Sequence, residues 1–164
     1  MSSPASVLRD AFERHTWATL RLLDHIEGMD AAVYVRGVPG TYGPIDETLT
    51  HLVNADDRYL QRLEHPVLPP YEPAPAQTIE ELRARVRAHA PHWTSRLDRL
   101  EGGSLHASIP ADRIPGGIDP AETLLLLQAL HHGDDHRAQV CSTLGSLDLE
   151  VPDLDVWAFW DDQR

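Results

Sequence analysis

The stretch DPAETLLLLQALHHGDDHRAQVCSTLG, residues 119–145, decides the fold. Asp119 has the chemistry of an N-cap, Pro120 fits the first helical position, where its missing N–H is no loss, and Glu122 sits near the positive end of the helix dipole. From there the pattern predicts one long helix that runs to a stop at Gly145. His132 and His136 are four apart on it, so both project from one face and can bind one metal ion. Their stripe also holds Leu125, Ala129 and Val140, which a bundle would bury. Two adjacent buried imidazoles without a shared partner are costly, and a metal removes that cost. A second stripe competes: His131 with Asp135, alongside Leu124, Leu127 and Ala138. Periodicity leaves both open, and either needs a third ligand from another element. His51, between Leu49 and Leu52, is the best placed.

Working outward, Val7, Leu8, Phe12, Trp17, Leu20, Leu22, Leu23 and Ile26 recur mostly at three and four, which predicts a first helix over 6–27, closed by Gly28. Gly37, Pro39, Gly40, Gly43 and Pro44 mark a loop. A second helix starts at Pro44, with Asp46 and Glu47 in its first turn, and carries Ile45, Leu49, Leu52, Val53, Leu60 and Leu63 to an end near His65-Pro66. Pro66 to Pro75 holds five prolines in ten residues, which forbids helix. An extended connector of about 14 residues covers roughly 40 Å, enough to return the chain to the end from which helix two began, so helices two and three can be parallel. Helix three opens with Thr78 and Glu81 in capping-box register and runs to Gly102-Gly103, with Pro91 expected to kink or divide it. Residues 104–118 read as a structured loop with room for a short hairpin, and a last short helix follows Pro152-Asp153. The expected organisation is one domain over 1–164, all-α.

Composition narrows the function. With one cysteine, Cys141, an internal disulfide and a four-thiolate zinc site are both impossible, so any metal is held by His and carboxylates, and the expected compartment is the reducing cytoplasm. No apolar run approaches the roughly 18 residues of a membrane span, and the start, MSSPASVLRD, has no signal-peptide pattern. A net charge of −12 with dispersed arginines argues against nucleic acid. All 14 basic residues are Arg, and without lysine there is neither a Schiff base nor a P-loop. Ten histidines remain to be explained. His15, His25, His65, His89, His92 and His106 stand in polar or Pro-rich company and read as solvated; Cys141 reads as a small buried apolar side chain. Trp157, Phe159 and Trp160 read as core or dimer contact.

Three segments together, GPIDETLTHLVNADDRYL (43–60), HHGDDHRAQV (131–140) and PDLDVWAFW (152–160), resemble the DinB-like superfamily of metalloenzymes. The most specific piece is a final ligand followed by Arg, a small residue and Gln, here His136-Arg137-Ala138-Gln139. The resemblance spans nearly the whole chain. It implies a down-up-up-down four-helix bundle with the long crossover between helices two and three, plus the short C-terminal helix, and it selects His51, His132 and His136 as ligands over the competing stripe. Such a three-imidazole site leaves a position for water or substrate. Glu47, Asn54, Gln128 and Asp135 are the neighbours expected to orient the imidazoles, with general base as the alternative role. The implied function is a metal-dependent enzyme, with zinc or nickel, acting on a small molecule. An S-transferase using a low-molecular-weight thiol comes first, with a metal-dependent hydrolase as the alternative. A non-catalytic, metal-stabilised dimeric binding module is the reading from another class. A homodimer is expected.

Overall fold

The structure is a computed structural model that describes residues 4–64, 68–70, 72, 75–101 and 122–164. The expected ends at His65-Pro66 and Gly102-Gly103, the loop at 104–118 with His106, the cap at Asp119-Pro120 and part of the Pro-rich connector lie outside the described residues. Among those described, all regular structure is helical: α1 (Pro4–Ile26), α2 (Ala31–Tyr34), α3 (Ile45–Glu64), α4 (Ile79–Glu101), α5 (Glu122–Ser146) and α6 (Val156–Asp162). None of these helices is long and apolar enough to cross a membrane.

Local chemistry sets the boundaries where the sequence placed them. Gly28 takes a φ of +81°, a left-handed conformation that ends α1. The single turn α2, inside the stretch read as loop, forms because the Asp30 carboxylate accepts from Ala32 N–H at 2.8 Å. Thr78 and Glu81 form the reciprocal capping box of α4, with Thr78 N–H donating to Glu81 Oε2 at 2.9 Å and Glu81 N–H to Thr78 Oγ1 at 3.3 Å. Pro91 does not divide α4, which continues ten residues beyond it. Its ring is on the exposed side, where water can take up the carbonyl of Arg87 that loses its partner.

Pairings between helices fix their directions. Arg83, near the start of α4, holds Asp24 and Glu27 at the end of α1, while Arg9 near the start of α1 holds Asp98 near the end of α4, so these two run antiparallel. Gln77, just before α4, donates its N–H to Thr50, Arg85 and His89 meet Asp57, and Arg96 meets Glu64, so α3 and α4 run parallel. The order of contacts, α1 on α4 and α5 and α3 on α4 and α5, closes a four-helix arrangement.

The core is divided into two apolar clusters. One gathers Leu22, Leu23 and Ile26 with Ile45, Leu49, Leu52, Val53, Leu82, Val86, Val140 and Leu144; the other gathers Phe12, Leu60, Trp93, Leu97, Leu126 and Ala129. Between the two clusters each long helix places buried polar side chains: His15 and Thr19 on α1, Asp56 on α3, His89 on α4, His136 and Arg137 on α5. This polar layer carries the chemistry of the molecule. His15 and His89, read from sequence as solvated, are buried in it, 2% and 4% exposed, because each has a carboxylate partner, Asp56 and Asp57 respectively.

At Gly133 α1 and α5 approach so closely that a Cβ would lie 2.4 Å from Cε1 of His15 and 2.6 Å from its Nδ1. Replacing Gly133 by Ala should raise intrinsic helix stability by roughly 1 kcal/mol, but overpacking costs about 1–3 kcal/mol and the His15 ring is held in place by Asp56 and Arg137. The expected outcome is a net loss of stability of about 1 kcal/mol or more, read as a lower urea midpoint. A midpoint above wild type would show that the contact is not tight.

Candidate metal centre

His51 comes from α3, His132 and His136 from α5, at the level of the polar layer. The side chains expected to meet do meet. Nε2 of His132 lies 3.1 Å from Nε2 of His51 and 3.0 Å from Nε2 of His136. Ligands about 2.1 Å from a common ion lie roughly 2.9–3.4 Å from one another at angles between 90° and tetrahedral, so these separations fit three donors around one centre. His131 is exposed, as are Leu124 and Leu127 of its stripe, while Ala129 and Val140 of the other stripe are buried.

One imidazole, that of His136, is held by a partner that fixes which of its nitrogens is free. Nδ1 of His136 is 3.2 Å from Oε1 of Gln139. That oxygen also accepts the backbone N–H of Tyr42 at 2.8 Å, while the amide nitrogen of Gln139 donates to Asp135 Oδ2 at 2.9 Å. A backbone N–H can only donate and an ionised carboxylate can only accept, so the amide has one orientation, Nδ1 of His136 carries the proton, and Nε2 presents its lone pair to the cluster. Tyr42 is therefore a site residue. Its ring stacks on His51 with centroids 4.1 Å apart and an 11° tilt, and meets His136 edge-on. Tyr59 meets His132 edge-on from the other side at 5.8 Å, and its hydroxyl pairs with Gln128.

Of the four expected orienting neighbours, Asp135 acts through Gln139 and Gln128 through Tyr59, one residue further out than expected. Asn54 turns to α4, where its Oδ1 accepts from Arg85 at 2.7 Å, and exposed Glu47 lies against Gly43. Gln139 and Tyr42 were missed as orienting residues. Gln139 is visible in principle, three residues after His136 on the same face, but Tyr42 reaches it from a loop 97 residues away.

Burial makes the cluster a set of neutral donors. It lowers the pKa of His51 and of His136, with the His136 charge adding to the effect at His51 and with Gln139 and Asp135 opposing it at His136. His132 is pulled down to about 4, chiefly by burial and then by the two neighbouring imidazoles. Gln139 makes His136 Nε2 a lone pair, and two more imidazole nitrogens converge on the same space, an arrangement that a cation would satisfy. Among the described residues the ligand set that could hold one is these three imidazoles, with no carboxylate.

With the geometry in view, the comparison with known families is direct: the sequence pattern of the DinB superfamily matches residues 14–140. The chain belongs to the DinB superfamily. That range contains all three histidines and every orienting residue named above. Comparison with curated proteins gives no match.

The lowered pKa values set a direction for stability in the metal-free protein. A histidine at its ordinary pKa near 6.5 in the unfolded chain takes up a proton before the folded one does, so stability is full above about 6.5 and declines as pH falls through the folded values, towards about 4 for His132. Thermal melts of metal-free protein at steps from pH 7.5 to 4.5 should show this decline. His132→Phe, which removes the most strongly shifted group, should flatten it; an unchanged profile would mean that His132 ionises as freely in the folded chain as in the unfolded one.

Proposed function

We propose that the chain is a metal-dependent enzyme that binds one divalent ion, zinc or nickel, on His51, His132 and His136, and uses it to transfer a low-molecular-weight thiol to an electrophilic small molecule. The observation that carries this reading is the convergence of three imidazoles, with Nε2 of His132 3.1 Å from that of His51 and 3.0 Å from that of His136, and all three ligand atoms within 4.8 Å of one another. The ion would supply Lewis acidity, lowering the pKa of a thiol so that its sulfur is nucleophilic at neutral pH.

The protein residues divide the remaining work. Gln139 holds the His136 tautomer and Asp135 holds Gln139. Tyr42 covers the His51 ring. The nearby acids are engaged elsewhere: Asp57 with Arg85 and His89, Asp56 with His15, Asp135 with Gln139. Engagement of these three acids favours thiolate chemistry over hydrolysis, since a thiolate attacks without a general base. Three neutral ligands leave room for an exchangeable fourth, the arrangement of a catalytic site and not of a closed structural staple.

We further propose that the protein is a homodimer. Val7 of α1, Leu127 of α5, and Val156 and Trp160 of α6 are all more than half exposed. Val7, Val156 and Trp160 border one cavity of about 680 Å³ together with Leu130, one turn from Leu127. An exposed apolar surface of this kind is what a second copy would cover. Sedimentation should give twice the chain mass, and Leu127→Glu should shift the protein towards monomer. A wild-type monomer at high concentration would end the proposal.

Elemental analysis of untagged protein should find one divalent ion per chain, and His51→Ala or His136→Ala should lose most of it, whereas His131→Ala should keep it. Release on acidification should be steep and should lie below pH 6, because burial holds the free imidazoles below their ordinary pKa; each ligand that takes up a proton adds up to about one decade of affinity per pH unit. A panel of small thiols with electrophiles, run beside esters and amides, tests the chemistry: turnover of esters alone would replace the thiol reading with the hydrolase. Full metal content in both His variants would put the ion elsewhere.

A further inference from the structure

We propose that the turn at 36–45 is a clamp on the imidazole cluster: Tyr42, which it carries, is a positioning residue that joins His51 of α3 to His136 of α5, and the fit of this turn sets how tightly the cluster holds a divalent ion. The inference rests on the metal-binding reading above and gives it a determinant outside the two helices that bear the ligands.

The turn is built to hold one shape. Its ends meet where Ile45 N–H donates to the Arg36 carbonyl at 2.9 Å. At its tip Thr41 N–H donates to the Val38 carbonyl at 3.2 Å, with Pro39 and Gly40 between them, and Gly40 takes a φ of +94°, the positive value that a type II turn needs at its third residue. Thr48, in the first turn of α3, fastens the returning limb by donating its hydroxyl to the Gly43 carbonyl at 3.2 Å. The two limbs touch at Gly37, where a Cβ would lie 2.8 Å from the carbonyl oxygen of Gly43 and 3.1 Å from the nitrogen of Pro44. Both are backbone atoms, so a side chain at 37 would push the limbs apart.

From this frame Tyr42 reaches both ligand-bearing helices. Its ring lies 4.1 Å from that of His51 at a tilt of 11°, and 5.4 Å from that of His136, edge-on. Its backbone N–H donates at 2.8 Å to Oε1 of Gln139, the oxygen that also faces Nδ1 of His136 at 3.2 Å. A shift of the turn would therefore disturb the orientation of one ligand through its stacked ring and of the other through its amide. The two imidazoles stand 4.9 Å apart at 89°, and Tyr42 is in contact with each.

Core packing does not account for this ring, which is 49% exposed and belongs to neither apolar cluster. Charge does. An imidazole that binds a divalent ion takes on part of its charge, and the electron-rich face of a phenol stabilises a ring so charged. The stack is thus stronger with the ion present than without it, and an interaction that favours the loaded state raises affinity by that difference. Because the turn is closed by its own hydrogen bonds, little ordering is left to oppose binding.

The test uses the full chain, stripped of metal and titrated with Co²⁺, whose visible spectrum reports ligand geometry. Tyr42→Leu, which keeps apolar bulk and loses the ring, should bind about tenfold to a hundredfold more weakly at unchanged stoichiometry, the usual loss when a supporting partner of a metal ligand is removed. Tyr42→Phe, which keeps the ring and the backbone N–H, should bind as wild type does. Gly37→Ala, which touches no ligand, should weaken binding about tenfold by displacing the turn. Urea unfolding of the metal-free proteins is the control: a purely structural Tyr42 would lower the metal-free midpoint and leave the Co²⁺ affinity and spectrum alone. If Gly37→Ala does not fold, Tyr42→Leu decides. Affinity within twofold of wild type in Tyr42→Leu or in folded Gly37→Ala, or a loss in Tyr42→Phe equal to that in Tyr42→Leu, would overturn the clamp while leaving the three-histidine site intact. Failure of the wild type to bind Co²⁺, or unweakened binding by His51→Ala, would overturn the metal reading itself and this inference with it.

Discussion

A guanidinium that is almost wholly out of water governs how α1 and α5 sit against each other. Arg137 is 2% exposed, and an unpaired charge at that depth would cost several kcal/mol. It is accommodated because its Nη1 donates to Thr19 Oγ1 at 2.8 Å and to the His15 carbonyl at 3.3 Å, and its Nη2 to Asp134 at 2.6 Å, which Arg14 also holds. These partners lie on α1 and α5, so the charge fixes the axial register of the two helices to within a hydrogen bond. Gly133, one turn before Arg137, lets the helices close, and the same register turns His132 and His136 towards α3. Apolar clusters on either side supply most of the burial; a hydrophobic contact tolerates sliding, whereas this layer does not.

Much of this was legible in the sequence, for reasons that differ from element to element. Helices α1, α3, α4 and α5 are written in local periodicity, and the Thr78–Glu81 box and the Gly28 stop are short-range chemistry that any context would preserve. The stripe of α5 was not decided by periodicity. Leucines at 124, 125, 126 and 127 put apolar character all around the first turns, and only the family resemblance picked the face that the structure buries. Pro91 was read by its usual effect in a helix interior, which an exposed position softens.

The orienting groups around the imidazoles were the least legible part. Asp135 and Gln128 sat at the right helical spacing, yet their contacts are one residue removed from the imidazoles, with Gln139 and Tyr59. Asn54 had the right spacing too and was captured by Arg85 from another helix. His15 and His89 were misread because burial of a histidine depends on a partner 41 or 32 residues away, and nothing in the neighbouring sequence announces it. Spacing along one helix reports which side chains share a face. It does not report which of them a second helix will claim.

The separation of the site in sequence also bears on how the protein is made. One imidazole is supplied at residue 51 and the other two at 132 and 136, with the amide that orients the last at 139. A chain leaving the ribosome N-terminus first therefore carries a single imidazole of the set from residue 51 until residue 132 is added, too weak a chelator to hold a transition metal. The cluster comes into being only when α5 docks, at the step that also buries Arg137. Completion of the bundle and assembly of the three-imidazole cluster are thereby the same event.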